Sequence, residues 1–151
     1  MKCGRIAFAL WASLPSAVLA QDQGQPTDVA IVHGACQPQS ALTEGGQKTR
    51  FGCDNAVFAF YDMQNSHVMI QFAKKGDDQA RILAFAGTME NDGVTLDVDR
   101  IYLQPGKPQP AEKASCKLSF TPPHITAIAC HGQVSQGVQA ADVVFKPDPG
   151  Q

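Results

Sequence analysis

Four cysteines are the residues whose type and spacing promise the most definite chemistry. Cys116 and Cys130 bracket the segment "CKLSFTPPHITAIAC", and Cys36 and Cys53 lie earlier in the chain. Cysteines of structural zinc sites usually stand about two to four residues apart, and redox-active pairs usually form a C-x-x-C motif. Neither spacing occurs in this sequence. The pattern therefore favours structural disulfides over a metal site or a reactive thiol pair.

The residues between Cys116 and Cys130 indicate how the cysteines pair. If these two lie opposite each other in an antiparallel hairpin, one face of the hairpin becomes continuously apolar. The remaining pairs on that face would be Leu118 with Ile128 and Phe120 with Thr126. The same register puts two prolines, which cannot donate a ladder hydrogen bond, in the turn at residues 122–124. We predict the disulfide Cys116–Cys130 and, by elimination, Cys36–Cys53, each closing a loop of about fifteen residues and worth about 3 kcal/mol.

The segment "MQNSHVM" is a second candidate for chemistry, because Met63, His67 and Met69 carry thioether and imidazole groups that suit Cu(I). His67 and Met69 share one face of an extended strand. Exported copper chaperones carry a further Met or His-Met element well upstream of the H-x-M motif, whereas the corresponding region of this chain reads "ALTEGGQKTR". We therefore interpret the three residues as an exposed strand face, keep them as weak metal candidates, and expect no cofactor.

Other reactive side chains lack a catalytic context. Asp97 and Asp99 share a strand face, but no third ligand or Gly-rich loop accompanies them as a calcium site would require. The serines have no nucleophile-elbow context, and no Walker or dinucleotide-binding glycine pattern occurs. We expect no enzymatic activity.

A partner surface is predicted where Tyr102 precedes the proline-rich segment "LQPGKPQP". Prolines restrict the unbound loop and so lower the entropy lost when it binds a partner. Tyr102, Pro105, Lys107 and Pro108 would form a rigid protruding edge if they were exposed together. The alternative is an ordinary connection between two strands.

Short apolar runs, separated by turn residues about every ten positions, predict an all-β domain. We expect an antiparallel meander of about eight strands that forms a small barrel or a sandwich, stapled by two disulfides. The predicted strands are residues 28–33, 56–62, 67–74, 80–88, 94–104, 113–120, 125–132 and 138–146. A single helical turn, capped by Ser40 and ending at Gly45, is the competing helical element.

The apolar alternation changes phase within residues 94–104. Leu96 and Val98 occupy even positions, whereas Ile101 occupies an odd one. Because side chains alternate across a strand, an extra residue is needed to keep all three on one face. A bulge or sharp bend is therefore predicted near Asp99 and Arg100.

The first twenty residues read as a signal peptide. Lys2 and Arg5 precede an apolar run of nine residues, and small or aliphatic residues precede a cleavage site after Ala20. Cleavage there would also remove Cys3, and the four cysteines that remain form an even set that suits an oxidising compartment, so we expect a periplasmic or secreted protein. The rest of the chain divides into a flexible lead at 21–27, a single β-domain at 28–146 and a flexible tail at 147–151.

The segment "FGCDNAVFAFYD" resembles an element of the small exported inhibitors of c-type lysozymes, which open a meander with an aromatic-x-Cys motif and an alternating strand. The likeness covers these twelve residues. That family inhibits through a Ser-Gly-x-x-Tyr loop, and this sequence contains no Ser-Gly pair. No residue role is therefore carried over.

The net charge of the chain argues against nucleic acid as a partner. Without the leader the net charge changes from −2 to −4, because two basic and no acidic residues are lost. A mildly acidic chain without a basic run argues against nucleic acid, and no later segment is apolar enough to span a membrane. We expect a bacterial, non-enzymatic binding module, inhibitor-like or accessory, that presents loops to a protein or envelope component. The alternative is a periplasmic carrier that holds a small ligand or metal in a barrel interior.

Overall fold

The computed structural model describes residues 24–62, 64, 66–75 and 82–150. The predicted signal peptide and the first part of the predicted lead lie outside these residues. Within them, no helix has the length and apolar character that crossing a bilayer requires. The strands are β1 Asp28–Cys36, β2 Ala41–Glu44, β3 Gln47–Arg50, β4 Asn55–Asp62, β5 His67–Ala73, β6 Leu83–Met89, β7 Thr95–Tyr102, β8 Pro108–Pro110, β9 Glu112–Thr121, β10 His124–Val134 and β11 Gln139–Pro147, with a short 3₁₀ turn at Ser135–Gly137.

Eight strands close into an antiparallel barrel. Their order is β1-β4-β5-β6-β7-β9-β10-β11, and β11 pairs back with β1. These eight correspond one for one to the eight predicted strands, with bounds that differ by a few residues. The predicted fold class is confirmed, and the meander forms a barrel rather than a sandwich.

The predicted helical turn at Ser40 is wrong, because this segment forms the hairpin of β2 and β3 beside β11. Gly45 and Gly46 have φ angles of 55° and 82°. Positive φ at both central residues is what the commonest two-residue hairpin turn requires, and glycine adopts it without strain. Ser40 is buried, and its hydroxyl donates to the Val144 carbonyl and accepts from the Val144 N–H. The side chain thereby fastens the start of this hairpin to β11.

The predicted bulge in β7 is present. Ala86 pairs with Arg100 and Gly87 pairs with Val98, so Asp99 is the extra residue. Because of it, the apolar side chains on both sides of Asp99 point into the barrel. These are Leu96, Val98 and Ile101, and all three are buried.

Both predicted disulfides form, between Cys36 and Cys53 and between Cys116 and Cys130. The first ties the end of β1 to the segment that leads into β4. The second links β9 to β10 in the middle of their hairpin, where its two cysteines lie directly opposite each other. All four side chains belong to the hydrophobic core.

The tip of the β9–β10 hairpin differs from the prediction. Leu118 lies opposite Ile128 as expected, but Phe120 lies opposite Ile125 rather than Thr126. A register shift between Ile125 and the residue two positions later leaves Thr126 as the extra residue. The turn therefore contains only the two prolines, and the bulge bends the tip of the hairpin.

Aromatic side chains fill one end of the barrel. Phe72, Phe85 and Phe145 are fully buried there, with the Phe72 ring centroid 6.2 Å from that of Phe85 and 6.0 Å from that of Phe145. We call these three residues the phenylalanine cluster. Small barrels are normally filled by side chains in this way.

Candidate functional site

The opposite end of the barrel is open and apolar. A cavity of about 410 Å³, here called the mouth cavity, enters the barrel between inward-facing side chains of six barrel strands. Its walls include Val32, Phe58, Phe60, Val68, Leu118 and Ile125. Sites for small ligands have volumes of about 300–1,000 Å³ and similar apolar linings. The mouth cavity is therefore large enough for a small molecule or for an apolar group of a larger one.

Strand lengths explain why this end is hollow. β11 pairs with β1 only from Gly34 to Cys36 and ends at Pro147. β11 therefore places no side chain in the interior at the level of Ala30, and Ala30 itself adds only a methyl group. On β4, which pairs with this part of β1, the Phe58 and Phe60 rings stack with centroids 6.5 Å apart and form part of the cavity wall.

The bent tip of the β9–β10 hairpin lies at the opening of the cavity. Phe120 and Ile125 both line the cavity, yet the Phe120 side chain is 43% exposed. A phenylalanine that is half in water at the rim of an apolar cavity can bury more surface when the cavity is occupied. The tip is therefore placed to contact whatever enters.

Polar groups stand at the rim, where Asp62, Ser66 and His67 border the apolar walls. The Arg100 guanidinium lies 3.0 Å from His67 Nε2 and forms a 3.0 Å ion pair with Asp99 through Nε. Because a guanidinium offers only donors, this contact is a hydrogen bond when Nε2 is the accepting nitrogen of the ring. Polar groups therefore border the opening of an otherwise apolar cavity.

Tyr61 lies beside this rim and meets the His67 ring edge-on, with centroids 6.2 Å apart. Burial raises the pKa of the Tyr61 phenol above its ordinary value of 10.0, and Tyr102 raises it further. Arg100 opposes this shift by attracting the phenolate. At neutral pH the phenol is therefore a neutral hydroxyl.

The structure describes only two of the three predicted metal candidates. Met63 lies outside the described residues. His67 contacts Arg100, whereas Met69 packs against a small outer-face cluster that contains Tyr102. In the described ranges, no group of three or more His, Cys, Asp or Glu residues could hold a metal ion. Copper binding by these residues stays a prediction.

The predicted partner surface is split by the fold. Pro105, Lys107 and Pro108 are exposed, but Tyr102 is only 8% exposed and packs against Met69. The tyrosine supports the base of the loop instead of projecting with it. The four residues therefore do not form one protruding edge, and binding through the exposed three stays a prediction.

The sequence analysis did not predict the exposed apolar side chains on the outer face of β1. Val29 and Ile31 are 50% and 58% exposed, although both are large and apolar. The signal was present in "DVAIVHGAC", where Val29 and Ile31 alternate with the equally apolar Ala30 and Val32. Continuous apolar runs are typical of strands that are buried on both faces, so the two exposed side chains make the outer face of β1 a candidate contact surface.

Comparisons with protein-family models, with curated proteins and with solved structures find no match for this chain. The mouth cavity, the polar rim and β1 are the features of the described structure that bear on its function.

Proposed function

We propose that this chain is an exported, non-enzymatic binding protein that holds an apolar group of its ligand in the mouth cavity. The observation that carries the proposal is the contrast between the two ends of the barrel. The phenylalanine cluster fills one end, whereas the other holds an apolar cavity of about 410 Å³ that opens to solvent. Of the two functions that the sequence suggests, this contrast favours ligand binding in the barrel interior.

Burial of apolar surface supplies the binding free energy. An aromatic-sized group buries about 150–250 Å². At about 25 cal/mol per Å², that burial is worth about 4–6 kcal/mol before the entropy cost of association is subtracted. The cavity alone therefore supports weak binding, and a tighter ligand must also use the polar rim. An amphipathic ligand, with an apolar part inside and a polar part beside Asp62 and His67, fits both regions.

Export is supported by two independent features. Residues 1–20 have the composition of a signal peptide. The two disulfides suit an oxidising compartment such as the periplasm or the extracellular space. A rigid, cross-linked barrel needs no cofactor to keep its cavity open, which suits a carrier or capture protein.

Titration with the apolar fluorophore N-phenyl-1-naphthylamine tests the proposal. The oxidised protein should enhance the emission of this probe in a saturable manner. Ala30→Trp places a large side chain at the cavity wall and should weaken binding about tenfold, equivalent to about 1.4 kcal/mol. Ala35→Trp is the matched control, because Ala35 lies on the same strand but is exposed on the outer face.

The control variant should bind the probe as the natural sequence does. The proposal is refuted if the protein of natural sequence leaves the emission of the probe unchanged. It is also refuted if the two tryptophan variants bind the probe with equal affinity. The sequence has a single tryptophan, Trp11 in the predicted leader, so the introduced tryptophan also reports directly on its own environment.

A further inference from the structure

The β1 strand has an open edge beside the mouth cavity. β4 pairs with β1 from Asp28 to His33, whereas β11 pairs with it only from Gly34 to Cys36. In the described part of the chain, Asp28–Val32 therefore has a strand on one side only. Such an edge is a template for another extended segment.

Hydrogen bonds identify the backbone groups that face the open side. The Gly34 N–H donates to the segment that leads into β4, whereas the His33 carbonyl accepts from the residue that follows β11. Because these directions alternate along a strand, Val29 and Ile31 direct their N–H and C=O groups to the open side. The Val29 N–H is held there by the Asp28 carboxylate at 2.8 Å.

We propose that this edge binds an extended peptide segment as an additional strand, with alternate side chains of the peptide entering the mouth cavity. The inference rests on the proposed function, because it names the occupant of the same cavity. The even-numbered residues Ala30 and Val32 line that cavity, and the odd-numbered Val29 and Ile31 point outward. A strand added beside them would place every second side chain over each of these two faces.

The backbone chemistry of the edge selects a peptide over a lipid. An acyl chain could fill the mouth cavity, but it carries no amide groups to match donors and acceptors two residues apart. A peptide strand supplies both in the required spacing, and its apolar side chains supply the group that the cavity holds. The Asp28 carboxylate at the end of the edge favours a basic residue at the corresponding end of the peptide.

A second copy of this chain fits less well. Antiparallel pairing of two β1 edges about Ala30 would place Asp28 of one copy opposite Val32 of the other. Residues 28 and 32 share the inward face, so a carboxylate would point toward the apolar wall of the cavity. A free segment with apolar residues at alternate positions carries no such penalty.

The test uses the fluorescein-labelled peptide acetyl-Lys-Thr-Leu-Thr-Leu-Thr-Lys-amide and the oxidised full chain. Fluorescence anisotropy should show saturable binding, and the unlabelled peptide should displace N-phenyl-1-naphthylamine. Two further peptides carry N-methyl groups on the leucines or on the threonines. Because only one set of amides faces β1, one methylated peptide should lose about tenfold or more in affinity while the other stays within about threefold. Equal affinity of the two methylated peptides would overturn the proposal.

Ile31→Pro examines the same edge from the protein side. Proline removes the N–H that faces the peptide and no hydrogen bond to β4, so an edge strand tolerates it. Peptide affinity should fall about tenfold, whereas the affinity for N-phenyl-1-naphthylamine should not change. Ile31→Thr is the control, because it keeps both the N–H and a β-branched side chain, and should weaken peptide binding less than Ile31→Pro.

The outcomes separate the two proposals. If the fluorophore binds in the cavity but the peptide does not bind, strand addition is refuted and the proposed function stands. If neither binds, both are refuted. The third outcome is that light scattering detects dimers, that Ile31→Pro abolishes them and that the peptide does not bind. This outcome would assign the edge to a second copy and overturn the peptide proposal.

Discussion

Replacing Gly87 with alanine tests the bulge that keeps the barrel interior apolar on both sides of Asp99. Gly87 lies on β6 opposite Val98, directly beside the extra residue of β7. A Cβ at this position would overlap the carbonyl oxygen of Asp97 and lie 2.8 Å from both the Asp97 carbonyl carbon and Val98 Cα. Glycine is therefore required by the close approach of the two strands at the bulge, not by an unusual φ angle.

The expected loss in the free energy of unfolding follows from the type of atom that must move to admit the alanine Cβ. Overpacking of a core costs about 1–3 kcal/mol when side chains and backbone can adjust. Here the obstructing atoms are backbone atoms of a strand paired on both sides, so we expect about 3 kcal/mol for Gly87→Ala. A domain of this size loses very roughly 3–6 °C in Tm per kcal/mol, and the shift should therefore be about 10 °C.

Urea unfolding of the oxidised protein, followed by circular dichroism, measures this loss. Gly52→Ala is the matched control, because no atom of the described residues lies within 4 Å of a Cβ built at Gly52. The control should change the free energy of unfolding by no more than about 0.5 kcal/mol. A Gly87→Ala variant as stable as the control would show that β6 and β7 do not approach in this way and would refute the placement of the bulge at Asp99.

Three further predictions concern the disulfides and two titrating groups. Replacing Cys116 and Cys130 together by alanine opens a loop with a sequence separation of 14; it should lower the free energy of unfolding by about 3 kcal/mol, and an unchanged urea midpoint would contradict this. Hydrogen bonds from the Thr95 hydroxyl and the two backbone N–H groups of residues 94 and 95 lower the pKa of Asp92 from 3.8, so its stabilising contribution is present above that pH and is lost as the pH falls below it. Asp92→Ala should therefore flatten the acid limb of a stability–pH curve, and an unchanged limb would show that these bonds are not made in solution. Because the pKa of Tyr61 is raised in the folded protein, the unfolded chain loses its phenol proton at a lower pH than the folded protein does, and stability should fall as the pH rises above 10.0. Tyr61→Phe should reduce that fall, and a spectrophotometric titration that finds an ordinary phenol would refute the shift.

Local patterns made most of the barrel predictable. The eight barrel strands and the pairing of Cys116 with Cys130 follow from the two-residue alternation of apolar side chains, which depends only on neighbouring positions. The bulge at Asp99 follows from the same alternation, because a change of phase within one strand needs one extra residue. These features required no knowledge of distant segments.

Non-local pairing decided what the sequence did not predict. Gly45 suits the end of a helix as well as a hairpin turn, and the choice was made by β11, which pairs with β2. The Phe120–Thr126 pairing failed because the hairpin bends at Thr126. The alternation of apolar residues predicts which side chains share a face of each strand. It does not predict the bulge that bends the hairpin over the mouth of the barrel.

The mouth cavity depends on side-chain size and strand length together. Inward-facing positions occur at both ends of the barrel. Phe72, Phe85 and Phe145 fill one end, whereas at the other end the phenylalanines of β4 and β9 line a cavity and β1 contributes only Ala30 and Val32. Periodicity alone treats these sets as equivalent. The end of β11 at Pro147 then removes the strand that would have covered the smaller side chains.

The same early end of β11 explains why cavity and edge occur together. A missing strand segment leaves an unfilled interior and an unpaired backbone at one place, so a single extended peptide can satisfy both. An unprotected apolar edge would favour aggregation. Here the Asp28 carboxylate already occupies the Val29 N–H, and a binding segment must displace it. Neutralising this carboxylate with Asp28→Asn should therefore make the edge less selective, so that peptides without a basic residue bind as well as those with one.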